Sequence, residues 1–146
     1  KEGSGDMYYK GALMLNTIRH IINDDAKWWK LLYNYSETYK KQIIDTKTVI
    51  DYFNKESGLD LTSVFNQYLT TTKIPKLVLS KTGNKLSYEW QNVNTDFKMP
   101  VDIVINEKTI RLHPTTSKQE TKIDKKIKLE NIQVKTNQFF IKVEKK

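Results

Sequence analysis

The feature that most constrains this sequence is a change in hydrophobic period at Pro75. Before Pro75, apolar residues recur every three or four positions, as they do on one face of a helix. After it, apolar and polar residues alternate, as in strands with one buried face; Leu86, Tyr88 and Trp90 are one such set. The change predicts helices over about residues 6–70 and an antiparallel β-sandwich over about residues 76–145.

Four helices are predicted before Pro75. Asn23–Asp25 suits the start of the second helix, Thr46 is the predicted N-cap of the third, and Gly58 suits its end. Asp60 or Thr62 would begin the fourth. The positions predicted to face inward are Leu15, Ile18 and Ile22, then Trp28, Leu31, Leu32, Tyr35 and Tyr39, then Val49, Ile50 and Phe53, and finally Val64, Phe65, Tyr68 and Leu69.

Seven or so short strands are predicted after Pro75. Turns at 82–84 and 106–108 would close two hairpins, and Phe139, Ile141 and Val143 would form the last strand. The predicted fold class is therefore α+β, an antiparallel helical segment followed by an antiparallel β-sandwich. We expect two domains, a helical one over residues 1–75 and the sandwich over residues 76–146.

The charge of the chain is uneven. Its net charge is +8, and residues 76–146 hold 15 basic and 8 acidic groups, hence +7. Arg19 and Arg111 are the only arginines, whereas base edges and phosphates are bound best by the guanidinium fork. We therefore expect no specific nucleic-acid partner, and polyanion binding that is weak and lost at modest salt.

Composition excludes some classes of protein. There is no cysteine, so the chain has neither a disulfide nor a thiolate metal site. Cysteine content therefore does not indicate whether the protein works in a reducing or an oxidising compartment. No apolar run approaches the roughly 18 residues of a membrane span. Lys1 is not an initiator methionine, and we expect the chain to be cut from a longer one. For localisation, we expect export to a periplasmic or extracellular space.

A short motif, Tyr8-Tyr9-Lys10-Gly11, opens the first helix. Tyr-x-Lys-Gly before an apolar helix resembles the zinc aminopeptidase N family, the gluzincin metallopeptidases that include leukotriene hydrolase. Further stretches that carry the resemblance are Trp28-Trp29, 46–53, 57–61, 64–69 and Ile74-Pro75. Many members of the family continue from the catalytic domain into a small β-sandwich. The resemblance therefore implies that residues 1–75 are the helical C-terminal part of the catalytic domain, and the chain looks like a short-form member that lacks a terminal helical domain.

The resemblance implies one catalytic residue, Tyr8. The family's matching tyrosine donates its phenol hydrogen to the oxyanion formed when water attacks the peptide carbonyl, and a tyrosine with an ordinary pKa near 10 stays protonated at neutral pH. On the residues alone, a tyrosine here is more often a packing residue at a helix start. Tyr9 is given no role. Gly11 is expected to permit close helix approach, and Lys10 to pair with a carboxylate outside the chain.

The zinc site of the family is missing. Its His-Glu-x-x-His motif and following glutamate are absent, as is its Gly-x-Met-x-Asn segment, which grips the substrate amino terminus. His20 and His113 are isolated; His20 is more often a packing or capping residue. We therefore expect zinc in the parent enzyme and none in this fragment, which should be inactive alone.

Two functions from different classes stay open. One is the C-terminal portion of an aminopeptidase that removes N-terminal residues from peptides, with a peptide substrate and the N-terminal catalytic half of the same chain as partners. The other is a non-catalytic basic module that binds a polyanion or a partner protein. His-Glu-x-x-His upstream of Lys1 in the parent reading frame would favour the first, and a gene beginning near Lys1 the second.

Overall fold

The computed structural model describes the backbone of residues 6–146 and the side chains from Tyr8 onwards. Its helices are α1 (Asp6–Ile22), α2 (Asp25–Thr38), α3 (Thr46–Ser57) and α4 (Thr62–Thr70). Its strands are β1 (Lys76–Thr82), β2 (Lys85–Gln91), β3 (Val101–Ile105), β4 (Lys108–Leu112), β5 (Gln119–Lys122), β6 (Gln133–Val134) and β7 (Lys142–Lys145), with a 3-10 turn at Leu129–Asn131. The predicted α+β class, helices first and sandwich second, is confirmed.

Local sequence explains where the helices begin and end. The Asp24 side chain accepts a hydrogen bond from Lys27 N (2.9 Å) at the start of α2. The predicted N-cap of α3 is wrong by one residue, because the Asp45 carboxylate accepts the Thr48 N–H at 2.7 Å and Thr46 is already helical. Gly58 ends α3 in the left-handed conformation, at φ 73°, as predicted.

The buried face of α1 is turned by about one residue from the predicted one. Met14, Thr17, Ile18 and Ile21 are buried, whereas Leu15 is 37% exposed. In α4, Val64, Phe65 and Tyr68 are buried as predicted and Leu69 is 49% exposed. Leu15 and Leu69 were wrongly predicted to be buried. Each is apolar and lies next to a buried residue, so the helical period alone does not show which of the two neighbours faces the core.

Two sheets form the sandwich, with strand orders β5-β2-β1-β7 and β4-β3-β6. Both predicted hairpins are present: β1 pairs with β2, and β3 pairs with β4, each antiparallel. Gly83 in the first turn has φ 59°, and Asn106 and Glu107 in the second have φ 49° and 65°. One strand pair is parallel: β7 runs beside β1 in the same direction.

The last strand starts later than predicted. Phe139 and Ile141 are buried but precede β7, because the backbone of Phe140 bonds to helices instead of to a neighbouring strand. The Phe140 N–H donates to Thr17 Oγ1 (2.9 Å) in α1, and the Tyr68 hydroxyl in α4 donates to the Phe140 carbonyl (2.7 Å). Two helices are thereby joined to the sandwich at one residue.

A second polar link joins α1 to the hairpin of β3 and β4. The Arg111 guanidinium donates to both carboxylate oxygens of Asp102, at 2.8 and 3.1 Å. It also donates to the carbonyls of Ile21 (2.9 Å) and His20 (2.6 Å). These carbonyls lie in the last turn of α1, where no helical donor remains and a cation is favoured.

The helices and both sheets share one contiguous hydrophobic core. It includes Ile18 of α1, Phe65 of α4, Leu77 and Trp90 of the first sheet, and Ile103 of the second. The division at residue 75 into two domains therefore stays a prediction. Over residues 6–146, no helix is long and apolar enough to cross a membrane.

Replacing Arg111 should strongly destabilise the fold. Arg111→Met leaves the Asp102 carboxylate, at a residue only 6% exposed, without a counter-ion, so the free energy of unfolding should fall by about 3–5 kcal/mol. Arg19→Met is the matched control, because Arg19 also binds an aspartate through two hydrogen bonds but at the surface. Urea unfolding of both variants measures the difference, and equal losses would contradict the structural role of Arg111.

Stability should also depend on Tyr68 at alkaline pH. Burial raises the pKa of the Tyr68 phenol above its usual range, so the folded state retains this proton at a pH where the unfolded chain loses it. Its contribution is present below about pH 10 and is lost as pH rises above that value. Tyr68→Phe should therefore flatten the fall in unfolding free energy that begins at about pH 10.

The same substitution should have a cost at neutral pH. Without the hydroxyl, the Phe140 carbonyl loses its donor, and unfolding free energy should fall by about 1–3 kcal/mol. Tyr33→Phe, which removes an exposed hydroxyl, is the control for this loss. An alkaline profile of Tyr68→Phe as steep as that of the unsubstituted chain would show that another group causes the fall.

Candidate functional site

Tyr8, the predicted catalytic residue, lies in the first part of α1 with 78% of its side chain exposed. Two residues further on, Lys10 Nζ donates a hydrogen bond to the Thr71 carbonyl at 2.6 Å. Thr71 lies between α4 and β1, so this bond fixes the start of α1 to the connection that leads into the sandwich. This bond uses one of the three donors of the Lys10 ammonium, and a carboxylate partner outside the chain stays a prediction.

Among the described residues, no close helix approach requires a glycine at position 11. A Cβ added at Gly11 would meet no atom within 4 Å among the described residues, so no helix of this chain approaches it closely. Glycine inside a helix costs about 1 kcal/mol relative to alanine. Packing within residues 6–146 gives no reason for that cost at this position.

An exposed stripe runs along α1 from Tyr8. Residues 8, 12, 15 and 19 follow the spacing of one helix face, and the exposed members include Tyr8, Ala12 and Leu15. On α2, Trp29 and Tyr33 lie one turn apart and are 56% and 67% exposed. We call the surface formed by Tyr8, Leu15, Trp29 and Tyr33 the exposed helical face.

Arg19 joins the two helices at one end of this face. Its guanidinium carbon lies 5.2 Å from the centre of the Trp29 ring, which is cation–π geometry. The same guanidinium donates two hydrogen bonds of 2.8 Å to Asp25. Hydrogen bonding to Asp25 raises the pKa of Arg19, and hydrogen bonding to Arg19 lowers the pKa of Asp25. Both groups are therefore held in their charged forms, and Trp29 is held in place beside them.

The two histidines do not form a metal site. Nδ1 of His20 lies 2.8 Å from the Asn16 carbonyl, and the ring centre is 6.2 Å from that of Phe139, which fits the packing role expected for it. His113 is exposed beside Pro114, after β4. From residue 6 to residue 146, no three histidine, aspartate or glutamate side chains are grouped so that they could hold a metal ion.

A cavity of about 390 Å³ lies where the end of α1, the connection between α3 and α4, and the β3–β4 sheet meet. Its apolar lining includes Ile21, Leu61 and Met99, and Arg111 and His113 contribute polar groups. The four hydrogen bonds that Arg111 donates in the described structure go to Asp102 and to α1. The guanidinium therefore acts there as a structural group.

Some lysines of the sandwich form ion pairs or hydrogen bonds with neighbouring residues. Lys76 pairs with Glu144 at 2.7 Å and Lys85 with Glu120 at 3.3 Å. Lys145 Nζ donates to the Ile132 carbonyl at 2.6 Å. Glu144 and Glu120 are among the acidic groups already counted in the +7 of residues 76–146, so weak, salt-sensitive binding of a polyanion stays a prediction.

Sequence reasoning missed the residues that fix α1 in place. The sequence carries one signal for Arg111, because it is the single arginine beside the 14 lysines of residues 76–146. Arginine, unlike lysine, can form a bidentate ion pair with a carboxylate. Thr17 gave no signal, because a threonine on an apolar helix face looks like a defect in the pattern. Its hydroxyl donates to the Leu13 carbonyl and accepts from Phe140 N.

Comparisons with known proteins give a likeness of fold. The sequence matches no protein-family profile and no curated protein. The structure is similar to the crystal structure of Legionella pneumophila aminopeptidase A in complex with aspartic acid, with a TM-score of 0.73 and 12% sequence identity. The match covers 93% of this chain and 17% of that chain, so this chain spans about a sixth of that protein's length. Nearly the whole of this α+β fold therefore occurs within an aminopeptidase.

Proposed function

We propose that this chain is the C-terminal portion of a zinc-dependent aminopeptidase, a gluzincin of the aminopeptidase N type, which removes N-terminal residues from peptides. Two independent observations support the proposal. The Tyr-x-Lys-Gly motif and the stretches that follow it resemble that family in order and spacing. The fold matches part of an aminopeptidase at a TM-score of 0.73.

The observation that carries the proposal is the setting of Tyr8. Tyr8 is 78% exposed, while its helix is fixed two residues further on by the Lys10–Thr71 bond. Further along α1, Thr17 and the carbonyls of His20 and Ile21 are bound to the sandwich. A donor that is accessible and carried on a firmly held helix can reach its acceptor without rearrangement of the backbone.

In the proposed reaction, Tyr8 donates its hydroxyl hydrogen to the oxyanion that forms when water adds to the peptide carbonyl. The negative charge develops on that oxygen only as the reaction proceeds. The hydrogen bond is therefore stronger in the transition state than with bound substrate, which is the condition for raising turnover. Removal of one such donor in other enzymes lowers turnover by roughly 100- to 1,000-fold.

Zinc would have to be held outside this chain. Zinc sites take three or four histidine, cysteine or carboxylate ligands, and residues 6–146 present no such group. The residues present thus do not fit the metal. We assign the metal ligands and the site for the substrate amino terminus to the N-terminal catalytic half of the parent.

Tyr8→Phe in the full-length parent tests the role of the hydroxyl. Turnover should fall by roughly 100-fold or more with little change in KM, because the ring is kept and only the donor is lost. The free energy of unfolding should hardly change, since the side chain is exposed. Steady-state kinetics on one aminoacyl substrate measure the effect.

Tyr9→Phe is the matched control. Tyr9 is the next residue, is 70% exposed and is given no role, so its loss should leave turnover unchanged. If a folded, zinc-loaded Tyr8→Phe parent turned over as fast as the control, Tyr8 would be a packing residue and the motif would have misled us.

The isolated 146-residue chain should neither retain zinc nor cleave aminoacyl substrates. The reason is the lack of a ligand group in the described residues. Metal analysis after dialysis, beside an aminopeptidase assay, measures both. One zinc ion retained per chain would mean that the zinc ligands lie within this chain, contrary to the proposal.

A further inference from the structure

We infer that the exposed helical face of α1 and α2 is the surface on which the zinc-binding part of the parent packs. This inference rests on the proposed function and adds to it the place of contact and the residues that make it. Tyr8 would lie at the edge of the contact, beside the reacting carbonyl, and Leu15, Trp29 and Tyr33 would be covered.

The distribution of exposed apolar side chains is the first argument. Of the nine large hydrophobic side chains exposed in the described structure, five lie on α1 and α2, and a single one lies in a strand, Ile110. The nine are Tyr8, Tyr9, Leu15, Trp29, Tyr33, Ile43, Leu59, Leu69 and Ile110. Grouped exposed hydrophobic residues mark contact surfaces, whereas scattered ones need no explanation.

The composition of the face is the second argument. Trp and Tyr are the residues most enriched at the centres of protein interfaces, because they bury a large apolar area and lose little conformational entropy. Trp29 is already held by Arg19, and Arg19 by Asp25, so ordering these side chains costs little further on contact. Asp25 also neutralises the charge of Arg19, so the face does not present an unpaired cation to an apolar partner.

The position of Tyr8 decides which partner covers the face. Leu15 follows Tyr8 by two helical turns, about 10 Å along the same stripe. A partner that brings a reacting carbonyl to the Tyr8 hydroxyl must lie against this end of α1, and a domain-sized partner there would extend over Leu15. Gly11, beside which an added Cβ would meet nothing within 4 Å, leaves room on α1 for such a contact.

The length of the structural neighbour favours a part of the same protein over a second copy. This fold accounts for 17% of that aminopeptidase chain. A parent of similar build has several hundred further residues, which are connected to this part and so are present at a high effective concentration. A second copy has no such advantage.

Cysteine labelling tests the contact directly, because the chain contains no cysteine of its own. Leu15→Cys and Tyr33→Cys are made singly in the 146-residue chain and in the full-length parent, and maleimide modification at each site is timed by peptide mapping. Both sites should react quickly in the short chain and at least 10-fold more slowly in the parent. Ile110→Cys, at a residue 40% exposed on β4, is the matched control and should react at similar rates in both.

Hydroxyl-radical footprinting of Trp29 and Tyr33 in the unsubstituted proteins repeats the comparison without any substitution. Equal modification of the face in the short chain and in the parent would overturn the inference. So would protection that appears in the short chain alone as its concentration rises, since the occupant would then be a second copy. A parent reading frame without further residues would overturn it as well.

Zinc content and turnover of the same parent separate this inference from the proposed function. A parent that holds zinc and cleaves aminoacyl substrates but leaves Leu15→Cys reactive would keep the function and refute the contact. A parent in which the face is protected, without zinc or turnover, would show that another part of the parent packs there and would refute both the peptidase function and the zinc-binding nature of that part.

Discussion

The structure depends on how the sandwich holds the end of α1. At Arg111, one guanidinium satisfies a buried carboxylate and two carbonyls of the last helical turn at once. Each of these acceptors would be costly to bury alone. Because Asp102 and Arg111 lie opposite each other in the β3–β4 ladder, the hairpin itself sets the position of the group that binds the helix. The direction of α1 is thereby tied to the register of two strands.

A second contact fixes α1 at its middle, so the helix has little freedom to rotate. Thr17 accepts a hydrogen bond from the Phe140 N–H, and Tyr68 donates one to the Phe140 carbonyl. Both backbone groups of Phe140 are therefore unavailable to extend the β7 ladder. The chain gives up strand pairing there and gains a link from the sandwich to two helices. Together with the contiguous core, these contacts make the sandwich a support for α1, and so for the orientation of Tyr8.

Patterns that repeat along the chain could be predicted from the sequence, and single polar contacts could not. The period change, the hairpins at 82–84 and 106–108 and the end of α3 at Gly58 each follow from local rules. Leu15 was misplaced because Leu13, Met14 and Leu15 are all apolar, so the buried stripe can turn by one position without breaking the pattern. The late start of β7 depends on Thr17, which is 123 residues away from Phe140.

The misplaced leucine has a consequence for function. α1 carries apolar side chains on two sides, and the sandwich with the other helices buries only the one that includes Met14, Ile18 and Ile21. A helix that is apolar on most of its circumference belongs in an interior. Leu15 on α1 is nevertheless exposed, as are Trp29 and Tyr33 on α2. Contacts within residues 6–146 do not explain why these three positions are apolar or aromatic. Tyr8 lies on the same exposed stripe of α1 as Leu15. The buried contacts that fix α1 therefore position both the residue proposed to act on substrate and the surface proposed to contact the rest of the parent.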